Sequence, residues 1–555
     1  MGFTSKIQSH YDVVVVGAGA AGAAYIQRLT ESGLRVLAIE KGPFFKNHRD
    51  DFIENELGIF NHLWDSSSYE VEGDAFRATP NLGRAVGGGT LAWTAVALRF
   101  FERDFHFKKH WKVPAQSSVT NWPISLKDLD LYYQQAELHM GVSGTATVWD
   151  QPNAALPPNP ALDFYPGSNQ LKTGFDKLGY RWAPGRIATN SRPYNNASEC
   201  LHCGFCRSGC RVDAKYQADK VLIEPALASG FLDLAYECTV VELLTSGDGK
   251  QITALRFVDD QSGEELKVSA EHVVLCNNPF ETTRLLLNSA NDAHPNGIGN
   301  KFDQVGRHFF CHLGVVGLGF TEQDLRASTG HNMGNIMSLD PCNQGRDKNY
   351  VGGFTLLSLN GAGAGVAAID PLEHFQGPEL QEKMSRFNRA LFMVSFIEGL
   401  PAEHNRIRLG QSLDSYGLPQ AKVEYDYLEN DLLALADARQ AMADVMTEAG
   451  AGDVHVSREF EAHPMGGMRM GNSPSQSATD KWGRVHGLNN LWVGGASLFV
   501  SGSSVNPTLT IHALALRSAE KLAKTFAQQK KQKQQQKKDQ KKNKQSSLNS
   551  ERAYA

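Results

Sequence analysis

Six residues near the N-terminus, Gly17-Ala18-Gly19-Ala20-Ala21-Gly22, constrain this chain more than any other feature. They follow Val13-Val14-Val15-Val16, a β-branched run that reads as a buried strand. They lead into Ala20 to Thr30, which has helical character, and Arg35 to Ile39 reads as a second buried strand. Strand, glycine turn, helix, strand opens a parallel α/β sheet. Gly17 permits the tight turn, Gly19 lets the backbone approach a pyrophosphate, and Gly22 lets the helix pack close to the strand. The helix start at Ala20 and Ala21 turns its partial positive charge to the phosphates. Glu40 ends the second strand eighteen positions after Gly22. A carboxylate there accepts from ribose hydroxyls and disfavours a 2′-phosphate. The pattern specifies a dinucleotide cradle and leaves NAD and FAD both open.

The remaining length must be built around that cradle. At 555 residues, with 41% apolar and 21% charged side chains, the chain has material for two to four domain-sized units. That composition excludes wholesale disorder, a coiled coil and a disulfide-stapled miniprotein. A net charge of −5 gives no global sign of nucleic-acid binding, and no apolar run is long enough to span a bilayer. About ten residues, Met1 to His10, precede the first strand, and neither a signal h-region nor a twin-arginine pair stands there, so no export signal is expected in this chain.

Residues 110–200 are rich in Pro, Asn, Trp and Tyr, with one amphipathic segment near Leu126 to Met140, and read as an insertion with long loops. Strand character returns at Leu232 to Leu244, Ile252 to Val258 and His272 to Cys276, and a helix follows from Phe280 to Ser289. Residues 310–425 alternate apolar and polar segments, as an antiparallel sheet does, and 428–449 read as one amphipathic helix. Leu491-Trp492-Val493 is a strand, and a helix starts near Pro507. From 530 to 544 there are eight Lys and one Asp. Such a segment buries nothing and is expected to be disordered or a frayed extension of the last helix.

Further motifs stand at intervals. Asn81 to Thr94 (Asn-Leu-Gly-Arg-Ala-Val-Gly-Gly-Gly-Thr-Leu-Ala-Trp-Thr) is a second backbone-exposing stretch. His463-Pro464-Met465-Gly466-Gly467 and Gly494-Gly495-Ala496-Ser497 lie near the C-terminus, followed by Ser504-Val505-Asn506-Pro507-Thr508. Cys276-Asn277-Asn278-Pro279 and the stretch Asn300 to His312, with Val305-Gly306-Arg307, stand between. Taken in order over residues 10–526, these motifs resemble the glucose–methanol–choline (GMC) oxidoreductase family. The resemblance implies an α/β fold: a Rossmann-like FAD-binding domain joined to an antiparallel-sheet substrate domain.

It also implies FAD as the dinucleotide. Contacts are implied at Gly17, Gly19, Ala20, Ala21, Gly22, Glu40, Arg84, Gly87, Gly88, Thr90, Trp93, Thr94, Val240, Ala496, Asn506 and Thr508. His463 matches the family's active-site histidine and Asn506 its second catalytic position. The chemistry agrees, since oxidising an alcohol needs a base for the hydroxyl proton while a hydride leaves carbon, and neutral imidazole is suited to that near pH 7. Asn506 also suits an N-cap before Pro507. Two departures matter. Ala92 stands where some members carry a flavin-linking histidine, which implies non-covalent FAD, and Gly495 stands where many carry an acid.

Cys200, Cys203, Cys206 and Cys210 fall within eleven residues with spacing C-x2-C-x2-C-x3-C. Bacterial ferredoxins share that spacing, except that Arg211 replaces the usual proline, so an iron–sulfur cluster, [3Fe–4S] or [4Fe–4S], is expected. Structural zinc, or cysteines free or in disulfides, are the alternatives. The isolated Cys238, Cys276, Cys311 and Cys342 read as small buried hydrophobes.

The segments expected are a lead (1–10), FAD-domain parts at 10–110, 216–315 and 451–526, an insertion (111–199), the cysteine loop (200–215), a substrate domain (316–450) and the tail (527–555). Flavoprotein subunits of bacterial gluconate, fructose and glucose dehydrogenases resemble this chain in their cysteines. That implies a dehydrogenase acting on a sugar, glycoside or sugar acid, passing electrons through the cluster to a cytochrome or quinone. The alternatives are a peroxide-forming oxidase of the pyranose-oxidase type and a non-catalytic FAD electron-transfer subunit. The same resemblance implies a small partner with a twin-arginine signal, a c-type cytochrome and a periplasmic location, against the cytoplasm of the plain sequence.

Overall fold

Val13 to Val16 lie at the centre of a seven-stranded sheet. The computed structural model describes residues 2–52, 63–65, 69–73, 82–152, 154–342, 348–361, 363–369, 372 and 375–553. Asn81, the first residue of the second glycine stretch, lies outside them. β1 (His10–Val16), α1 (Ala20–Glu31) and β2 (Val36–Glu40) form the expected unit. β1 pairs in parallel with β2 on one side, Val13 opposite Val36, and with Glu265–Leu275 on the other, Val13 opposite His272. Leu232–Tyr236 continues the parallel sheet beyond β2, and Leu491–Val493 lies along Glu265–Leu275. Strands covered on both faces need apolar side chains throughout, which is why β1 and β2 read as continuous Val, Leu and Ile.

The far edge is an antiparallel meander of Cys238–Thr245, Ile252–Asp259 and Glu265–Leu275. The run Leu232 to Leu244, one strand by its pattern, is two strands on opposite edges. Glu237 separates them with φ +53°, a left-handed turn that side-chain patterning does not reveal.

The second sheet is antiparallel. β3 (Phe310–Phe320) pairs with the whole of β4 (Ala390–Ile397), Leu313 opposite Ile397. Leu356–Leu359, Met333–Ser338 and Ala183–Pro184 continue beyond β4, while Gly452–Val456 and β5 (Phe460–Met465) both pair with β3. Helices Pro166–Leu178 and Glu429–Glu448 pack together beside it, so closely that a Cβ on Gly174 would stand 2.1 Å from the Val445 carbonyl oxygen. Leu171 and Phe175, spaced one helical turn apart, are fully buried there with Met442 and Val445. Each contributes roughly 1.5–3 kcal/mol of apolar burial. The helix Pro166–Leu178 falls in the segment expected to be loops. Its two glycines weaken the pattern in the sequence, and packing supplies the stability that propensity lacks.

The last helix, α2 (Thr508–Ala553), buries Leu509, Ala513, Leu516 and Leu522 against α1 and Asp130–Met140. It continues through 527–553, where the sequence reading offered disordered chain or a helical extension. Lys and Gln are good helix formers, which favours continuing the helix beyond Leu522. Among the described residues no helix is long and apolar enough to cross a membrane.

Candidate active site

The two glycine stretches interlock. Gly17 has φ +93°, and a Cβ on it would stand 2.9 Å from the Cys276 carbonyl oxygen. A Cβ on Gly22 would stand 1.9 Å from the carbonyl oxygen of Gly17, so helix and turn touch backbone to backbone. Gly87 N donates to Ala18 O at 2.9 Å, and a Cβ on Gly88 would lie 2.7 Å from the Cα of Gly19, the residue before Ala20 at the start of α1. Glu40 is buried. Its two oxygens accept from Ala18 N and Gly42 N, each at 2.9 Å. Burial raises its pKa above the usual carboxylate range, opposed by those two N–H groups and then by Arg84 and Lys41. Glu40 therefore holds the glycine turn to the end of β2, a role the motif did not announce, and each oxygen keeps a lone pair for a ribose hydroxyl.

Other expected positions surround this cradle. Thr90 Oγ1 donates to Gly87 O at 2.6 Å and receives Ala218 N at 3.0 Å, which fixes the second turn. Arg84 Nε is buried without a partner among the described residues. Ala496 accepts from Gly466 N, and a Cβ on the neighbouring Gly495 would come within 3.6 Å of the Ala21 Cβ, bringing that loop to the start of α1. Gly495 has φ +84°, a conformation that suits glycine better than a residue with a side chain. Thr508 is the first residue of α2, and Val240 sits on Cys238–Thr245, beside an irregularity in its pairing. The Trp93 indole N–H donates to Tyr216 O at 3.1 Å, and Thr94 Oγ1 donates to Met333 Sδ at 3.4 Å. The interlocked glycines, the helix start without a side-chain cap, Glu40 and the unpartnered Arg84 Nε fit a flavin dinucleotide.

At one end of the cradle stand the catalytic candidates. β5 pairs with β3 through Ala462 opposite His312 and Met465 opposite Phe310, with a register shift between them. His463 occupies this bulge at φ +58°, and Pro464, which has no N–H for the ladder, follows it. The bulge turns the imidazole towards Asn506, whose Nδ2 lies 3.4 Å from His463 Nε2. Asn506 is 5% exposed and its Oδ1 has no partner among the described residues. The amide thus faces His463 and not the helix start, which sets aside capping as its use.

On the other side of His463, Nδ1 lies 3.0 Å from His312 Nδ1, and the Phe396 ring stands 4.9 Å away, centroid to centroid. Burial, and then His312, hold the His463 pKa well below the ordinary imidazole value, so the ring is neutral at pH 7 and able to take a proton. His312 itself is pushed down to about 4 by burial, opposed by the Gly502 and Ser503 backbone. Neither His312 nor Phe396 was singled out in the sequence; His312 ends the Asn300 to His312 stretch, and its apposition to His463 depends on strand pairing.

The cysteine loop gives a different result. All eight cysteines are free, and Cys238, Cys311 and Cys342 are buried as expected, with Cys276 half-buried. Cys200, Cys206 and Cys210 are half-buried but Cys203 is exposed, next to His202 at φ +56° and exposed Leu201. Among the described residues no group of three or more Cys, His, Asp or Glu stands in position to hold a metal ion, so the expected four-thiol ligand set is not assembled. The surroundings do suit thiolates. Cys200 Sγ receives His202 N at 3.4 Å and Cys210 Sγ receives Lys215 N at 3.5 Å, while the Asn332 backbone bonds the Cys206 thiol. Burial, then the neighbouring thiol of Cys206, pushes Cys200 up to about 12.

Family models described as GMC oxidoreductase match residues 11–314 and 401–515. The chain is 27% identical to the fructose dehydrogenase large subunit of Gluconobacter japonicus, covering 93% of this chain and 98% of that protein. It is 29% identical to paromamine 6'-oxidase of Streptomyces fradiae, covering 92% and 91%. The fold is similar to that of pyridoxine 4-oxidase from Mesorbium loti, with a TM-score of 0.65 at 18% identity, covering 92% of this chain and 99% of that one.

Proposed function

Because this chain belongs to the GMC oxidoreductases, FAD-dependent enzymes of CH–OH groups, we propose that it is a dehydrogenase subunit oxidising a secondary or hemiacetal hydroxyl of a sugar, glycoside or sugar acid. The observation that carries this is the convergence of His463 Nε2 and Asn506 Nδ2, 3.4 Å apart, with His463 on a strand whose next turn bonds, Gly466 N to Ala496 O, to the loop beside the start of α1. Bound FAD supplies the hydride acceptor. Asn506 holds the hydroxyl oxygen through its amide, His463 takes the hydroxyl proton on Nε2, and Phe396 with the buried strands keeps water from the pair. As the proton arrives, His312 accepts a hydrogen bond from the opposite side of the imidazole.

The sugar class is supported by the likeness to the fructose dehydrogenase large subunit. Cys200, Cys203, Cys206 and Cys210 are the residues that would hold an iron–sulfur cluster, which supplies one-electron exchange with an external cytochrome or quinone. The N–H groups aimed at three of the sulfurs support that reading. FAD is proposed to bind without a covalent link, Ala92 offering no nucleophile. A small subunit with a twin-arginine signal, a c-type cytochrome and periplasmic residence complete the proposal.

Anaerobic addition of sugars, glycosides, sugar acids and polyols to the purified protein, followed by visible absorption, tests it. Loss of the flavin band with at least one of them is expected, and loss of turnover by roughly 10²–10⁴-fold with flavin retained in His463→Ala. Bleaching by none would leave a non-catalytic flavoprotein. Peroxide release as fast as dye reduction would make it an oxidase.

A further inference from the structure

Two buried carboxyl groups stand behind the catalytic pair. Glu398 follows β4, two positions after Phe396, and is 3% exposed; Asp104, in the short helix Glu102–Phe105, is 2% exposed. Asp104 acts electrostatically on Glu398, and the cation acting on both is Arg103. Arg103 is committed elsewhere as well. Its Nε stands 3.8 Å from Asp104 Oδ1, but the guanidinium also donates to Cys342 O at 2.9 Å and lies 4.0 Å from the Phe101 ring centroid. Asp104 Oδ2 accepts from Phe101 N at 2.8 Å, whereas Glu398 Oε1 is buried without a partner among the described residues. Backbone closes over Glu398, since a Cβ on Gly352 would stand 2.8 Å from its Oε2. Two enclosed carboxylates sharing one cation are costly, and an unpartnered oxygen costs far less on a neutral acid than on an anion. The proton therefore belongs on Glu398. Burial, then Asp104, hold this carboxyl well above the usual carboxylate range; Asp431 adds to the effect, while Arg103 and the Ser503 N–H oppose it. Cys342, the other titratable neighbour, is pushed up to about 12 by burial and stays a neutral thiol.

The segment from Ser501 to Asn506 runs between this pair and the catalytic residues. The Ser503 backbone N–H donates to the Glu398 carboxyl, and the Ser503 hydroxyl lies beside that of Asp104. Asp104 O accepts from Ser501 Oγ at 3.0 Å. Ser503 is left-handed, with φ +55°, a conformation that a residue with a side chain keeps only where its surroundings impose it. On the other side of the same turn, Gly502 O lies 3.3 Å from His312 Nε2, and a Cβ on Gly502 would stand 2.9 Å from that atom. Asn506 follows three residues after Ser503. One turn thus meets the carboxyl pair on one side and His312 on the other, and leads directly to the amide that faces His463.

We propose that Glu398 is a positioning residue, kept as a neutral acid beside the Asp104 carboxylate, and that this pair fixes the Gly502–Ser503 turn through which His312 and Asn506 are set against His463. The role rests on the His463–Asn506 reading given above. While the proton stays on Glu398, the acid accepts the Ser503 N–H and adds no second charge. When it leaves at alkaline pH, two carboxylates face each other across Ser503 and repel. The left-handed turn then loses the surroundings that impose it, and the aim of His312 and Asn506 is lost with it. The loss appears in kcat more than in KM, because it is alignment for proton transfer that fails.

Two measurements on the full-length flavoprotein test this. The first needs no substrate. Infrared difference spectroscopy at pH 7 compares wild type with Glu398→Gln, and the wild type is expected to show one protonated-carboxyl C=O stretch that the variant lacks. Identical spectra in that region would mean that Glu398 is ionised, and would overturn the proposal. The second follows kcat and KM against pH with whichever hydroxyl compound bleaches the flavin in the screen described above. Glu398→Gln, which cannot ionise, is expected to move the alkaline limb of kcat upward by about one pH unit or more. Glu398→Ala is expected to lower kcat roughly 10–10²-fold at pH 7 with flavin retained and KM changed less than about threefold. An alkaline limb at the same pH in wild type and Glu398→Gln, or a wild-type kcat in Glu398→Ala, would overturn the positioning role. If Glu398→Ala does not fold, the infrared band and the limb of Glu398→Gln decide the matter. Bleaching by no compound would end the His463–Asn506 reading and this role with it; bleaching by one, with the limb unmoved, would remove only the role of Glu398.

Discussion

His312 Nδ1 stands 3.0 Å from His463 Nδ1 while its Nε2 faces the Gly502 carbonyl at 3.3 Å. A carbonyl only accepts, so His312 donates through Nε2 and offers a lone pair at Nδ1. His463 therefore carries its proton on Nδ1, and its Nε2 is the free base beside Asn506. His312 selects the productive tautomer of a residue two strands' pairing brings to it. His312→Phe keeps a ring of similar size and removes the acceptor. It is expected to lower kcat roughly 10–10³-fold with KM changed less than about threefold, in keeping with the cost of a wrong tautomer. Steady-state kinetics at equal flavin content check it, and an unchanged kcat would mean that His463 orients itself.

The same environment fixes the pH dependence. Burial, then His312, holds His463 well below its ordinary value, and the active form is the neutral one. kcat/KM is therefore expected to stay level on the acid side of neutrality and to fall only at pH values well under 6.5, as the ring protonates. Asn506→Asp places a carboxylate near Nε2, which favours the imidazolium and moves the acid limb upward by about 1–3 pH units. A limb that stays in place would show that residue 506 does not face His463 in the working enzyme.

These two residues also mark what the sequence could and could not tell. His463 and Asn506 were legible because each sits in a short motif, and the cradle was legible because Gly17, Gly22 and Glu40 act within one β-α-β unit. His312 and Phe396 were not, because they reach His463 only through the pairing of β3 with β4 and β5, and register across distant strands leaves no local pattern. Glu237 split an apparent strand for a backbone reason invisible to hydrophobic alternation. The Trp93 indole N–H finds its acceptor at Tyr216 O, more than a hundred residues away, a partner that no local pattern announces. The cysteine spacing announced a ligand set, whereas the exposure of Cys203 is a property of how the loop lies.

The interlock of Gly19 and Gly88 predicts a sharp positional contrast. Gly88 has φ +54° and no room for a Cβ, which would stand 2.7 Å from Gly19 Cα; a Cβ on Gly89 would meet nothing within 4 Å. Gly88→Ala is expected to weaken FAD binding about tenfold or more, since the strained turn and displaced cradle together cost on the order of 1–3 kcal/mol. Gly89→Ala should bind FAD as the wild type does. Equal affinity in both variants, measured by fluorescence titration of flavin-free protein, would show that the two glycine stretches are not held together as described.

His48 offers a stability prediction remote from catalysis. Its Nδ1 lies 2.6 Å from Asp213 Oδ1 and its Nε2 2.6 Å from Asp219 Oδ2, with the ring 1% exposed. Burial alone would lower its pKa, but the bonds to Asp213 and Asp219 and their charges outweigh it and carry the value up to about 9. A histidine whose folded pKa exceeds its unfolded one, near 6.5, stabilises the fold fully below about pH 6.5, and that stabilisation is lost as the pH rises through 9. Each pKa unit corresponds to about 1.4 kcal/mol, so roughly 3 kcal/mol is at stake across that window. His48→Gln keeps hydrogen-bonding groups without the charge. The difference in unfolding free energy between wild type and His48→Gln, followed by urea denaturation at pH 6, 7.5 and 9, is expected to shrink steadily with pH. Taking the difference removes contributions common to both proteins. A gap that is constant with pH would show that His48 is neutral in the folded chain and that one of its two carboxylates carries the proton instead.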